Sequence, residues 1–194
     1  MRIRHLLIAL SIGLATTSPA FATTYQIDAE HSSVTFKIRH LFSNVQGTFN
    51  KFEGSFDFDV AQPEAAQTQA TVQAASIDTN VAERDKHLQS PDFFDVAKFP
   101  TLTFKSTKFE KISDQKAKLS GNLTIHGVEK PVEFDVDILG EGKDPWGNVR
   151  AAFTATTKIN RKDFGLNWNK AVEAGQLLVG EEVWITLDIE GLKQ

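Results

Sequence analysis

NVAERDKHLQSPDFFDVAKFPTLTF, residues 80 to 104, is the stretch that decides the fold, because it interrupts an otherwise repetitive β pattern. Asn80 can accept a bond from an unpaired N–H at a helix start, and Glu83 follows at the spacing of an imperfect capping box. The spacing predicts a short helix through Leu88. Ser90 then offers a second cap, with Pro91 where a missing N–H costs nothing and Asp92 at the positive end of the helix dipole. A further turn or two of helix is expected there. Pro100 bars helix through its predecessor, and residues 101 to 107 return to alternation with Leu102 and Phe104 on one face. The stretch therefore bridges two strands.

Working outward, residues 31 to 40 alternate Val34, Phe36 and Ile38 with Thr35, Lys37 and Arg39. Residues 52 to 60 repeat the pattern with Phe52, Gly54, Phe56, Phe58 and Val60 on one face. Gly54 marks a bend or a close approach to the backbone. Residues 61 to 69 read as a polar turn and residues 70 to 77 as a strand of small side chains. Toward the C-terminus, Leu119, Gly121, Leu123 and Ile125 share a face. His126-Gly127 turns the chain into Val132, Phe134, Val136 and Ile138, which reads as a hairpin. After the Asp144-Pro145-Trp146-Gly147 turn, Ala151, Phe153, Ala155, Thr157 and Ile159 form another face. Residues 161 to 180, with Trp168 and Gly175, lack periodicity and predict an irregular excursion holding at most one helical turn. The last strand sets Val183, Ile185, Leu187 and Ile189 against Trp184, Thr186 and Asp188. About eight strands joined by turns too short for parallel crossovers make an antiparallel all-β domain. Periodicity alone leaves sandwich and barrel open.

The N-terminus has a different character. Arg2 and Arg4 precede an apolar run from Leu6 to Leu14, and small residues follow up to Ala20-Phe21-Ala22. The run is short for a membrane span, so residues 1 to 22 are read as a secretory signal peptide and residues 23 to 194 as one domain. Without Arg2 and Arg4, the 21 basic residues no longer approach the 25 acidic ones, and the mature chain carries a net charge near −6. That disfavours nucleic acid and tight adhesion to anionic lipid, leaving transient membrane contact. The chain has no Cys, so an exported fold must rest on its core, and no lipoprotein anchor is available. Periplasmic residence is expected, with secretion beyond the cell as the alternative.

Three blocks carry a resemblance: RDKHLQSPDFFDVAKFPTLTF (84 to 104), LTIHGVEKPVEFDV (123 to 136) and RKDFGL (161 to 166). In this order they resemble the signature segments of the YceI-like family of exported lipid- and polyisoprenoid-binding proteins. The resemblance implies a lipocalin-like antiparallel β-barrel of about eight strands with a short helical segment between two of them. Its apolar interior would hold a long-chain lipid, either an isoprenoid quinone or polyprenyl compound or a fatty-acid derivative, and no cofactor. On that reading Val34, Phe36 and Ile38, with Phe56 and Phe58, supply one part of the tunnel wall. Phe104, Leu123 and Phe134 supply another, and Phe153, Ala155 and Ile185 complete it. Arg84, Asp85 and His87 would stand at the mouth near the head group. The same 15 Phe, against one Tyr and one Met, would equally make a filled core. Gly54, Gly121 and Ala155 are the small residues expected to leave space for a ligand.

Other functions have less support in the residues. Arg84, Asp85 and His87 beside Asp92 and Asp95 suggest acid–base or metal chemistry, but such groups on a short helix over a barrel end more often hold loops through carbonyl and N–H bonds. No HExxH, GxSxG, P-loop or dinucleotide fingerprint occurs. An enzyme acting on the same lipid, with Asp85 and His87 as its acid–base candidates, and a stress-related structural or interaction protein with a filled core are the rival readings. The oligomeric state is open between monomer and homodimer. Cleavage after Ala22 is expected to leave Thr23 as the mature N-terminus in the periplasmic fraction. N-terminal sequencing checks this, and intact Met1 in membrane pellets would refute it.

Overall fold

The computed structural model describes residues 23–59, 62–171 and 177–194. The expected signal peptide, Val60, Ala61 and Gly175 lie outside the described residues. The chain forms β1 (Thr23–Ile27), β2 (Ser33–His40), β3 (Ser43–Phe49), β4 (Phe52–Phe58), β5 (Thr68–Gln73) and β6 (Ile77–Asp78). These are followed by α1 (Ala82–Gln89), β7 (Thr101–Lys111), β8 (Lys116–Ile125), β9 (Val128–Lys143), β10 (Val149–Asn160) and β11 (Val179–Lys193).

The eleven strands reduce to eight staves. β4 pairs with β1 while β3 pairs with β2, and β4 pairs with β5 while β3 pairs with β6. Thus β1–β2, β3–β4 and β5–β6 are each one long strand broken once in the middle. The remaining five staves follow in chain order from β7 to β11, every pair is antiparallel, and β11 meets both β1 and β2 to close the ring. The result is an up-and-down barrel, as the resemblance implied, and the sandwich alternative falls. Closure leaves no free edge between first and last stave. α1 lies at the end where β6 finishes and β7 begins, here called the upper end, and the β10–β11 connection lies at the same end.

Several local expectations need correction. Asn80 is not the cap: it sits in the left-handed region at φ 61°, Val81 occupies the cap position, and no side chain caps it. Asn tolerates that conformation better than most residues. No second helix starts at Ser90. Instead the chain folds back over the end of α1, where Phe94 N–H donates to the Leu88 carbonyl (3.0 Å) and Val96 N–H to the Gln89 carbonyl (3.1 Å). Those carbonyls would otherwise be unpaired at the helix end, and satisfying them stops the helix. The expected strand over 70 to 77 is split by a 3-10 turn at Ala74–Ser76. β3 has no counterpart among the expected strands, because glycine stands where its pattern needs a large apolar residue.

That glycine shows what the small residues do. A Cβ on Gly47 would lie 2.7 Å from Phe36 Cε1, one on Gly121 would lie 2.5 Å from Phe104 Cε2 and 2.6 Å from the Lys105 carbonyl, and one on Gly191 would lie 2.5 Å from Phe56 Cζ. Phe36 and Phe104 cover a glycine of the adjacent stave, and Phe56 reaches across β1 to cover Gly191. Gly54 is approached by the β5 backbone, with Ala70 Cα at 2.9 Å from the built Cβ. Gly54 and Gly121 therefore make room for protein atoms and not, as expected, for a ligand.

The core falls into three clusters. One under α1 gathers Phe49, Ile77, Leu102, Leu123, Ile125, Phe164 and Leu166; one along β7 to β10 gathers Phe109, Phe134, Val136 and Ala155; the third, at the lower end, gathers Tyr25, Phe56, Phe58 and Ala151. Gly121→Ala is expected to cost about 1–3 kcal/mol through overpacking, whereas Gly142→Ala, with open space around it, should be near neutral. Chemical denaturation of both variants checks the contrast.

Candidate functional site: an apolar cavity beneath a polar end

Inside the barrel lies a cavity of about 560 Å³, within the roughly 300–1,000 Å³ usual for small-molecule sites. Its wall is almost wholly carbon, because the inward parity of the staves carries Phe, Val, Leu and Ile. Val34, Phe36, Ile38, Phe56, Phe104, Leu123, Phe134, Phe153, Ala155 and Ile185 all line it. Phe58 is the correction. It is buried below the cavity, edge-on to Phe153 with ring centroids 5.0 Å apart.

The lower end is a plug. Tyr25 is fully buried and stacks on Phe56 at 5.2 Å, and Phe56 meets Phe153 edge-on at 5.2 Å. The Tyr25 hydroxyl donates to Glu141 Oε2 at 2.8 Å, so its one polar atom is satisfied. Burial, with help from the Glu141 carboxylate, pushes this phenol up to about 12. It is a structural hydroxyl and not an acid–base group near neutrality.

Polar side chains reach the cavity mostly at the upper end, among them Thr79, Glu83, Arg84, His87, Arg161 and Trp168. Arg84 Nε donates to Thr79 Oγ1 and Nη2 to the Thr79 carbonyl, both at 2.7 Å. Thr79 in turn donates its N–H (2.9 Å) and its hydroxyl to Asp85 Oδ1. Asp85 itself does not line the cavity. Arg84 and Asp85 thus fasten α1 to the end of the third stave, while His87 sits differently. Its Nε2 pairs with Asp92 Oδ2 at 2.9 Å, and its ring stands edge-on to Phe93 and Trp168 at 5.1 and 5.0 Å. This aromatic group joins α1 to the β10–β11 connection.

Two residues that line the cavity are not among the expected site residues. Trp168 is placed by Asn169, whose side chain pairs with Val179 in strand-like fashion, Nδ2 donating to its carbonyl (2.7 Å) and Oδ1 accepting from its N–H (3.1 Å). Arg161 opens the 3-10 turn Arg161–Phe164, which is capped by Asn160 and ended by Gly165 at φ 79°. This is the single helical turn expected in the irregular excursion. The available signal was an arginine directly following an apolar face that otherwise carries no charge on its inward parity.

A YceI-like domain matches residues 25–191. The chain belongs to the YceI-like family. Its relatives include a UPF0312 protein of Azotobacter vinelandii, 43% identical over 190 residues and covering 96% of each chain. Another, from Enterobacter sp. strain 638, is 45% identical over 197 residues, covering 100% of this chain and 99% of the relative. Among solved structures, the YCEI protein of Campylobacter jejuni superposes with a TM-score of 0.71 at 30% identity, covering 97% of this chain and 99% of that one. A polyisoprenoid binding domain from Saccharophagus degradans shares the fold, with a TM-score of 0.65 at 15% identity over 89% of this chain and 99% of that one. The upper-end geometry belongs to this YceI-like chain's own residues. Arg84→Ala is expected to lower its thermal midpoint, since two bonds to the buried Thr79 are lost at about 0.5–1.5 kcal/mol each. An unchanged midpoint by circular dichroism would instead free Arg84 for direct ligand contact.

Proposed function

We propose that this protein is a periplasmic carrier that encloses the tail of an isoprenoid-type lipid, such as a quinone or polyprenyl compound, or of a fatty-acid derivative. The observation that carries this reading is the apolar cavity of about 560 Å³ inside a closed barrel. A space with so few polar groups offers water nothing to bind and suits a hydrocarbon chain. The polyisoprenoid binding domain among its structural relatives supports the same reading.

The energetics fit transport. Burying about ten methylenes from water is worth roughly 8 kcal/mol before association costs. A lipid arriving from a bilayer leaves one apolar phase for another, so its transfer is nearly neutral and the protein can both load and unload. Phe42, 90% exposed in the β2–β3 turn, and the half-exposed Val81 at the start of α1 place apolar surface at the upper end. Trp146, 82% exposed between β9 and β10, and Ile112 after β7 do the same at the lower end, so both ends offer apolar surface for transient membrane contact. The work is shielding, and no reaction step is required of Asp85 or His87.

Ala155 tests the hollow interior. It lies between Val136 of β9 and Leu187 of β11 in the ladder, and its methyl lines the cavity. Ala155→Trp is expected to fill the space and abolish co-purified lipid while the protein stays folded. Mass spectrometry of organic extracts, read beside thermal unfolding, checks this. Strong destabilisation, about 1–3 kcal/mol or more, of a protein that never carried lipid would sink the carrier reading.

A further inference from the structure

The barrel wall is split in its upper half between β9 and β10. Their ladder runs from Val149 opposite Lys143 only as far as Thr156 opposite Asp135. Above that point β9 stays with β8, as far as Val128 opposite Ile125, and β10 stays with β11, as far as Asn160 opposite Glu182. The two strands part around a gap, which Thr157 Oγ1 crosses at its lower corner by donating to the Glu133 carbonyl at 2.7 Å. Residues 161 to 168 fill it. Phe164 and Leu166 are buried in the cluster that holds Leu123 and Ile125 of β8, with Val132 of β9 and Ile159 of β10 packed against it. The inner side of this segment, including Arg161 and Trp168, lines the cavity.

The segment is fastened along one edge. Arg161 Nε donates to the Gly180 carbonyl at 2.8 Å, Lys162 pairs with Glu181, and the Asn169 side chain pairs with the Val179 backbone, so these polar ties all go to the start of β11. Its own backbone bonds stay inside the turn: Gly165 N–H donates to the Lys162 carbonyl at 3.0 Å and Leu166 N–H to the Arg161 carbonyl at 3.2 Å. Toward β8 and β9 no hydrogen bond or ion pair holds it among the described residues. That edge is closed by Phe164 and Leu166, and by Trp168 against His87 and Phe93. Apolar contact is non-directional, so it can part and re-form without stranding polar groups. α1 differs, because the chain runs from β6 through α1 into β7 and that cover is continuous with a strand on both sides. Closure also buries Arg161 Nη2 without an acceptor among the described residues, a cost relieved when the segment lifts and water reaches the guanidinium. We propose that residues 161 to 168 are a side door, hinged on β10 and β11, that swings away from β9 to open the cavity laterally. The inference rests on the carrier reading and supplies the route by which the guest enters and leaves.

Because the chain has no Cys, a disulfide can lock the door without competing thiols. A Cβ on Gly165 would lie 3.4 Å from His126 Nδ1 in the β8–β9 turn, within reach of a bridge after Gly165→Cys and His126→Cys. Stopped-flow fluorescence of the mature protein with parinaric acid, below its micellar range, gives the entry rate. Transfer of bound parinaric acid to phosphatidylcholine vesicles gives the exit rate. The oxidised double variant should load and unload about 10-fold or more slowly than the same protein reduced with dithiothreitol, at unchanged affinity, because a lock alters the barrier and not the end states. Any strain of a side chain at φ 79° is shared by both redox states and cancels. Rates indifferent to the bridge overturn the door and leave the carrier intact. A bridge that weakens affinity at an unchanged entry rate also overturns it, since Gly165 would then shape the site and not its access. Failure of parinaric acid to bind the wild-type protein removes the carrier reading and the door together. Native-state hydrogen exchange needs no variant to fold: the Gly165 and Leu166 amides of the wild-type protein should exchange through an opening that leaves β8 and β11 protected. If they exchange only together with those strands, the door stays shut in the native state and the proposal falls.

Discussion

The structure depends on how one strand, β11, serves two partners along a single edge. Its other edge runs with β10 from Glu182 to Leu192, but this one pairs first with β2 and then, from Gly191 to Lys193, with β1. The stave formed by β1 and β2 is broken between them, so closure must be secured across a gap. The break is clamped by Asp28 N–H donating to the Glu190 carbonyl at 2.8 Å and by Ser32 bonding the Glu190 backbone. On the outer face, Arg150 of β10 donates to Asp28 Oδ2 at 2.7 Å, Glu190 Oε1 at 2.6 Å and Asp144 Oδ2 at 3.0 Å. The Arg150 bond outweighs desolvation and holds Asp28 down at about 2. Asp28, His31 and Glu190 lie close enough to resemble a metal-binding set. The cation those carboxylates face is already the guanidinium.

Once the ring closes, the pairing of Phe with Gly governs the interior. A phenylalanine projecting toward the barrel axis would fill the lumen. Phe36, Phe104 and Phe56 instead lie over Gly47, Gly121 and Gly191, all within 2.7 Å of where a Cβ would stand. Each ring is folded sideways along the wall, over the adjacent stave for Phe36 and Phe104 and across β1 for Phe56, so the wall becomes aromatic while the axis stays open. A side chain at any of these glycines would push its ring inward. The many Phe and the hollow core are thus compatible for a steric reason, and the small residues matter for where they send the rings.

This explains what could be read from the chain. The strands with a large apolar residue at every second position, such as Val183 to Ile189, were legible because the burial period is two. β3 was not, since Gly47 replaces a core residue with space that only Phe36, distant in sequence, fills. α1 was legible from its polar, helix-forming run, but its start was misassigned because Asp85 holds Thr79 from inside the helix while Asn80 takes a left-handed turn. Of the site, the wall followed from parity. Phe58 failed because parity gives the direction of a side chain and not its height along the barrel. Arg161 was hidden for another reason: an arginine after a strand ordinarily reaches water, and nothing local indicates that Gly180 and Leu166 will hold it inside.

The two ends of the barrel bury polar groups on opposite terms. At the lower end the Tyr25 hydroxyl is paired with Glu141, and the charges of the Arg150 clasp lie on the outward parity of their strands, so the plug presents carbon to the cavity. At the upper end Thr79, Arg84, His87 and Arg161 line the same cavity. A polar head group pushed against the lower plug would lose its water and find little beyond Thr68 to replace it, where an unpaired group costs about 1–3 kcal/mol on the scale of protein mutations. The same group at the upper end meets donors already fixed in place. For the lipid proposed above, desolvation alone would favour an orientation with the tail toward Phe56 and Phe153 and the head beneath α1.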